Sequence, residues 1–176
     1  LMKHHAILIA SGADRPGILD EVSQFVFERG ANISDSKLLS MRGTFIMMVL
    51  LDADDPATVE RIGTELPGMS ATANLALELR AAGPATGDGS SFRYRFTATG
   101  ADKAGILNKL SHLFRVLNVN IDDVHTHVGV IQSMVRPQFE LELLLSVPRD
   151  TPVTRLREYL DTLCTEMSIH WELRPA

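Results

Sequence analysis

A single cysteine, Cys164, is all the thiol that this 176-residue chain contains, which excludes an internal disulfide framework and any zinc site built on several cysteines. A reducing compartment is the simple expectation. Basic residues are also short, with 17 Lys and Arg against 22 Asp and Glu and a net charge of −5. Binding to nucleic-acid phosphates relies on clustered cations that displace counterions, so no direct nucleic-acid partner is expected. No apolar run approaches the length of a membrane-spanning helix, and the opening Leu1-Met2-Lys3-His4-His5 has no apolar signal core. A cytoplasmic location with no membrane partner is therefore expected. What remains is ordinary for a globular chain: 45% hydrophobic and 22% charged residues supply material for a core.

The chain repeats itself. Shifting it by 88 positions makes ten of the 24 residues from Gly12 to Asp35 identical to those from Gly100 to Asp123. The matched pairs include Gly12/Gly100, Asp14/Asp102, Gly17/Gly105, Ile18/Ile106, Leu19/Leu107 and Asn32/Asn120. Between the copies, Ala81 to Ser91 is rich in small residues, Gly and Ser, with nothing to bury. The expected organisation is a first domain at 1–81, a linker at 82–91 and a second domain at 92–176.

Each copy reads βαββαβ. His5 to Ala10 is a compact apolar run expected as a buried strand. A helix follows, with Asp14 expected to cap it, Pro16 in its first turn, and Leu19, Val22, Phe25 and Val26 as its apolar stripe. Gly30 ends this helix, and Asn118 takes the same place in the second copy. Strands at Asn32–Arg42 and Thr44–Asp52 meet near Arg42-Gly43, a helix runs from Pro56 to Leu66, and Leu75, Leu77 and Leu79 alternate in a last strand. In copy two the closing helix is expected to turn Leu156, Tyr159, Leu160 and Leu163 inward, before Ile169, Trp171 and Leu173 alternate.

The fold class expected is α+β, two ferredoxin-like domains, each a four-stranded antiparallel sheet with two helices on one face and its first and third strands central. The third strand of copy one, Phe45 to Leu51, is apolar on both faces, whereas copy two has Glu140 and Glu142 on its outer side. Copy two also holds an insertion of about six residues around Gly129 to Pro137, read either as a self-association arm or as a loop folded on its own sheet. The apolar strand and this arm make a homodimer the expected assembly.

The segments Gly12-Ala13-Asp14-Arg15-Pro16-Gly17-Ile18-Leu19 and Gly30-Ala31-Asn32-Ile33, set in a βαββαβ unit, resemble the ACT domain family, once in each copy. The resemblance implies a regulatory module that binds amino acids or similar small ligands at domain interfaces and acts on a partner protein, with the glycine-bearing turn against the ligand. Carried over residue by residue, the ligand-binding candidates are Asp14, Gly17, Ile18, Leu19 and Asn32, with Asp102, Gly105, Ile106, Leu107 and Asn120 in the second copy. That copy departs from the pattern at Lys103-Ala104, where the first has Arg15-Pro16.

The physical reading is that a glycine at the helix start lets a ligand carboxylate approach backbone N–H groups at the positive end of the dipole. An asparagine amide can donate and accept, and an aspartate can hold an ammonium. The plain alternative is that the aspartates only cap helices.

No catalytic residue, metal ligand or cofactor is expected. His125 and His127 face one side of a strand without an evident third ligand, and Cys164 sits among apolar helix residues with no base. An RNA-binding module needs a basic face, and copy one has seven basic against eleven acidic residues. An acylphosphatase-like hydrolase would use Arg15 and Asn32, but copy two has Lys103 at the arginine position and the loop lacks a phosphate cradle. An interaction scaffold without ligand binding is the other alternative.

Overall fold

The computed structural model describes residues 3–83, 89–101, 103–129 and 138–176. The chain divides into two compact units, Leu1–Pro84 and Ala85–Ala176. In the first, β1 (His4–Ala13), α1 (Ile18–Glu28), β2 (Asn32–Met41), β3 (Thr44–Ala53), α2 (Pro56–Ala73) and β4 (Ala76–Ala81) build an antiparallel sheet of order β2-β3-β1-β4. The expected fold class is thus found, with β1 and β3 central. Ala6, Leu8 and Ala10 of β1 and Phe45, Met47, Val49 and Leu51 of β3 are buried against Val22 and Val26 of α1 and Ile62 and Leu66 of α2. The alternate residues of both strands face the other way, as the two-residue strand period requires.

Local chemistry explains the element ends. Both central residues of the β2–β3 turn, Arg42 (φ 49°) and Gly43 (φ 77°), are left-handed, the turn whose twist matches a two-residue hairpin. At the end of α1, Gly30 N–H donates to Phe27 O at 2.9 Å and Ala31 N–H to Val26 O at 3.3 Å, a Schellman pair. Asn118 and Val119 repeat it after α3 (Ile106–Val116), donating to Arg115 O and Phe114 O. Asp55 caps α2 by accepting from Ala57 N–H at 2.9 Å, with Pro56 at the first helical position.

Expectations for both helices of the first unit need correction. Helix α2 does not stop at Leu66 but runs through Pro67 to Ala73, because Met69, Ala73 and the following Leu75 still pack on the core; tertiary burial outweighs the missing N–H of Pro67. Pro16 lies before the N-cap Gly17, outside α1. The inward residue of the first turn is Ile18, while Leu19 is 51% exposed.

The second unit repeats the topology with β5 (Ser91–Ala101), α3, β6 (Asn120–Gly129), β7 (Gln138–Pro148), α4 (Val153–Met167) and β8 (Ile169–Pro175), in sheet order β6-β7-β5-β8. Phe96 anchors its core, edge-on to Phe114 at 5.7 Å and stacked with Trp171 at 6.3 Å. Tyr159 does not join that core: it is exposed, and its hydroxyl accepts from Arg155. The inserted segment falls at 130–137, outside the described residues.

Gly12 and Gly100 are matched for a steric reason. A Cβ on Gly12 would lie 2.7 Å from Leu75 Cδ2, and one on Gly100 would lie 2.9 Å from Ile169 Cγ2. The central strand can approach the start of the last strand only where it lacks a side chain.

Candidate functional site

Each first helix starts behind a left-handed glycine. Gly17 has φ 90° and Gly105 φ 88°, and the first intrahelical bonds are Glu21 N–H to Gly17 O and Lys109 N–H to Gly105 O, both 2.9 Å. A glycine N-cap has no side chain to accept from the leading N–H groups, which remain directed outward. Both turns are exposed. The nearest atom to a Cβ on Gly17 would be Glu21 Oε1 at 3.8 Å, and nothing lies within 4 Å of one on Gly105. Positive φ accounts for both glycines, and the open approach is a consequence. Ile18 and Ile106 are buried pins beneath the turns, while Leu19 and Leu107 (39% exposed) form outward lips.

Asp14 does not cap α1. Its carboxylate accepts from Ser40 Oγ at 2.5 Å and its N–H donates to Gly43 O at 2.9 Å, so it ties the turn to the β2–β3 hairpin. Asp102 lies outside the described residues. Arg15 makes a fork with both oxygens of Glu21, at 2.6 and 2.7 Å, and donates to Ala73 O, the last residue of α2, at 3.0 Å. That hydrogen bond is the main reason the Glu21 carboxyl is held below its usual range, against an opposing desolvation. Lys103 Nζ donates to Met167 O at 2.9 Å, the last residue of α4. The exchange of Arg15 for Lys103 therefore keeps one function, a cation on the electronegative end of the second helix.

The asparagines do not converge with the glycines of their own copy. Asn32 pairs with Asp52 at the end of β3, which pairs with His5 at the start of β1, whereas Gly17 follows the opposite end of β1. The 11 residues of α1 separate them by about 16 Å at 1.5 Å per residue. Asn120, opposite Ser146, stands in the same relation to Gly105. A ligand whose carboxylate and ammonium sit on one carbon cannot span that gap within one copy.

Around the asparagines are bulges with a repeated polar cluster. The pairing shifts between Ile33 and Asp35 and between Ile121 and Asp123, leaving Ser34 and Asp122 as the extra residues. Ser34 Oγ donates to Asp52 at 2.9 Å, and His5 Nδ1 lies 2.7 Å from the same oxygen. In the second unit Ser146 Oγ donates to Asp122 at 2.6 Å, Asn120 donates to it at 2.7 Å, and Arg93 lies 3.7 Å away. Serine and aspartate have changed strands while their bond persists. The contact with His5 does most to hold the Asp52 carboxyl below its usual range.

The two turns differ in charge. Helix α1 carries Asp20 and Glu21 in its first turn, whereas α3 carries no acid there. Lys109 stands at the position of Glu21 and pairs with Glu166 at 3.1 Å. Two concavities of the first unit were not apparent from the sequence. One of ≈ 840 Å³ is framed by the backbone of Gly12, Ala13 and Gly43 with Ser70 and Asn74. The other, ≈ 760 Å³, runs between α1 and α2 from Arg15 to Arg29. Both depend on the extension of α2 beyond Pro67, for which local pattern held no signal.

His125 and His127 do face one side, paired with Glu142 and Glu140, and among the described residues no group of three or more potential ligands can hold a metal. Cys164 is buried, and desolvation pushes its thiol up to about 12. No helix among the described residues is long and apolar enough to cross a membrane.

Two βαββαβ units with a glycine-gated helix start define a class, and a sequence profile of the ACT domain matches residues 4–80 and 96–174. The chain belongs to the ACT domain family, as a tandem pair. Within it, the glycine cleavage system transcriptional repressor of Escherichia coli K12 is 24% identical over 168 residues, covering 94% of this chain and 87% of the relative. A candidate glycine cleavage system transcriptional repressor of known structure superposes with TM-score 0.72 at 24% identity over 99% of this chain and 98% of that one. An unknown protein from Galdieria sulphuraria superposes with TM-score 0.82 at 18% identity over 99% of both chains.

Proposed function

We propose that this protein is a non-catalytic cytoplasmic regulator whose ACT modules, 1–81 and 92–176 joined through 82–91, sense a small carboxylate-bearing ligand, an amino acid such as glycine, and act through a partner protein. The observation that carries the reading is the exposed, glycine-gated helix start, present twice in an ACT-family chain. A ligand carboxylate there accepts N–H groups of Ile18 and Leu19, or of Ile106 and Leu107, and gains from the helix dipole. Similarity to a glycine cleavage repressor supports a role in controlling amino-acid metabolism. A net charge of −5 favours control exercised through another protein over direct contact with DNA.

The second module is the stronger anion acceptor. Asp102, Lys103 and Lys109 sum to +1, whereas Asp14, Arg15, Asp20 and Glu21 sum to −2. Ligand binding shifts the populated arrangement only as far as it favours one state over another. Hydrolysis of acyl phosphates finds no support, because the Arg15 guanidinium is held by Glu21 and Ala73.

Titration with glycine under amide NMR tests the reading. The N–H signals of Ile106, Leu107 and Asn108 should move at lower concentration than those of Ile18, Leu19 and Asp20. If no common amino acid moves either set at millimolar concentration, sensing is wrong and the scaffold reading replaces it.

A further inference from the structure

In both units the turn before the first helix is tied to the far end of the second helix. Arg15 donates to Ala73 O at 3.0 Å, and Lys103 donates to Met167 O at 2.9 Å. Each carbonyl belongs to the last residue of its helix, and the next residue, Asn74 (φ 54°) or Ser168 (φ 58°), is left-handed and leads into the last strand. A second tie changes sign between the copies. Glu21 and Lys109 occupy one position of the repeat. The acid is forked by Arg15, whereas the base pairs at 3.1 Å with Glu166, which stands on α4 where α2 has Thr72. Reversal of charge on the first helix is thus met by an acid on the second, and helix start and helix end stay joined. A third contact is steric, since Leu75 and Ile169 pack where Gly12 and Gly100 lack a side chain.

We propose that Arg15 and Lys103 are positioning residues that lock each glycine turn to the junction of second helix and last strand, so that the two move as one block. A displacement at the turn is then handed to β4 or β8, because close-packed groups transmit strain. Those strands stand at the edges of their sheets, where a shift is open to a partner. The lock stands on the contacts alone, while its use in relaying a ligand rests on the sensing reading above. What the lock requires is a cation that reaches the helix carbonyl, since a guanidinium serves in one copy and an ammonium in the other. Methionine keeps an unbranched stem and loses the bond.

Amide hydrogen exchange of the full chain tests the lock without any ligand. The amides of Lys109 and Ser168 donate to Gly105 O and Thr165 O. In Lys103→Met both should exchange about threefold faster, the effect of one cation at a helix end, with circular dichroism kept. Lys103→Arg should bring both back to within about twofold of wild type. In the first unit, Arg15→Met should speed the amides of Glu21 and Leu75, which donate to Gly17 O and Ser70 O. Arg15→Lys should hold them within about twofold, because the carbonyl tie survives the loss of the fork.

Titration with glycine tests the relay. In wild type the amide signals of Ser168 and Ile169 should shift together with those of Ile106 and Leu107, and in Lys103→Met the shift at Ser168 and Ile169 should fall by about half or more. Unchanged exchange at Lys109 and Ser168 in a folded Lys103→Met protein overturns the proposal. So does a Lys103→Arg protein that exchanges as fast as Lys103→Met. Turn signals that move with glycine while Ser168 and Ile169 stay still overturn the relay. If glycine moves no amide of the wild type, the sensing reading falls, and the exchange rates alone decide the lock.

Discussion

Replacing Gly105 by alanine obliges the backbone to hold φ 88° with a Cβ attached. Nothing lies within 4 Å of that Cβ, so the penalty is purely conformational and comes to about 1–2 kcal/mol. Alanine at Gly100 fails for the opposite reason. There φ is ordinary, but the Cβ lies 2.9 Å from Ile169 Cγ2 and 3.3 Å from both Ile169 Cα and Ser168 O. Overpacking of that kind costs about 1–3 kcal/mol and grows with side-chain size.

Asparagine separates the two causes. It tolerates the left-handed region, as Asn74 (φ 54°) and Asn118 (φ 55°) already do, so Gly105→Asn should recover about half of the alanine loss, whereas Gly100→Asn should be worse than Gly100→Ala. Trp171, the one tryptophan, stacks on Phe96 in the second core. Its fluorescence during guanidinium unfolding therefore reports the unit that carries both sites. The reasoning is refuted if asparagine costs as much as alanine at 105, or less than alanine at 100.

Pro67→Ala restores an N–H to the interior of α2 at an exposed position, and should stabilise the first unit by about 1–3 kcal/mol in urea unfolding; a destabilised variant would show that the ring itself is packed. Cys164, buried with its thiol raised to about 12, should react with an aromatic disulfide reagent at pH 8 only as fast as the protein opens. Prompt labelling in native buffer contradicts this. Asp52 titrates below the usual carboxylate value in the folded state, so its contribution is complete above the unfolded value of about 4 and is lost as pH falls through the lower folded one. Asp52→Asn should flatten that acid limb in a pH series of melting temperatures, and an unchanged slope would remove Asp52 as its source.

Sequence carried the fold where the signal was periodic or repeated. The apolar alternation from Phe45 to Leu51 and the turn at Arg42-Gly43 translate directly into β3 and its hairpin. The helix end expected at Leu66 fell short, because the burial of Ala73 and Leu75 that carries α2 onward is a tertiary fact. Leu19 misled because one helical position turns a side chain through 100°, and only the N-cap at Gly17 sets the phase. For the candidate site, the repeat and the family resemblance singled out the two glycine turns. It did not reveal that Asp14 is engaged by Ser40, or that Arg15 and Lys103 both end on a helix carbonyl. Those partners lie up to 64 residues away in the chain. The distance from Gly17 to Asn32 was implicit in the parallel course of β1 and β2, since a helix between them must span the module.

The traded serine and aspartate have a consequence for how the two modules diverged. A direct swap of one residue of the pair leaves two acids or two hydroxyls facing each other, so Ser34/Asp52 and Asp122/Ser146 are two arrangements of one bond whose members are coupled. Grafting β2 of one module onto the other therefore creates Asp facing Asp or Ser facing Ser. Moving the whole hairpin carries the bond with it, because both partners lie on its two strands.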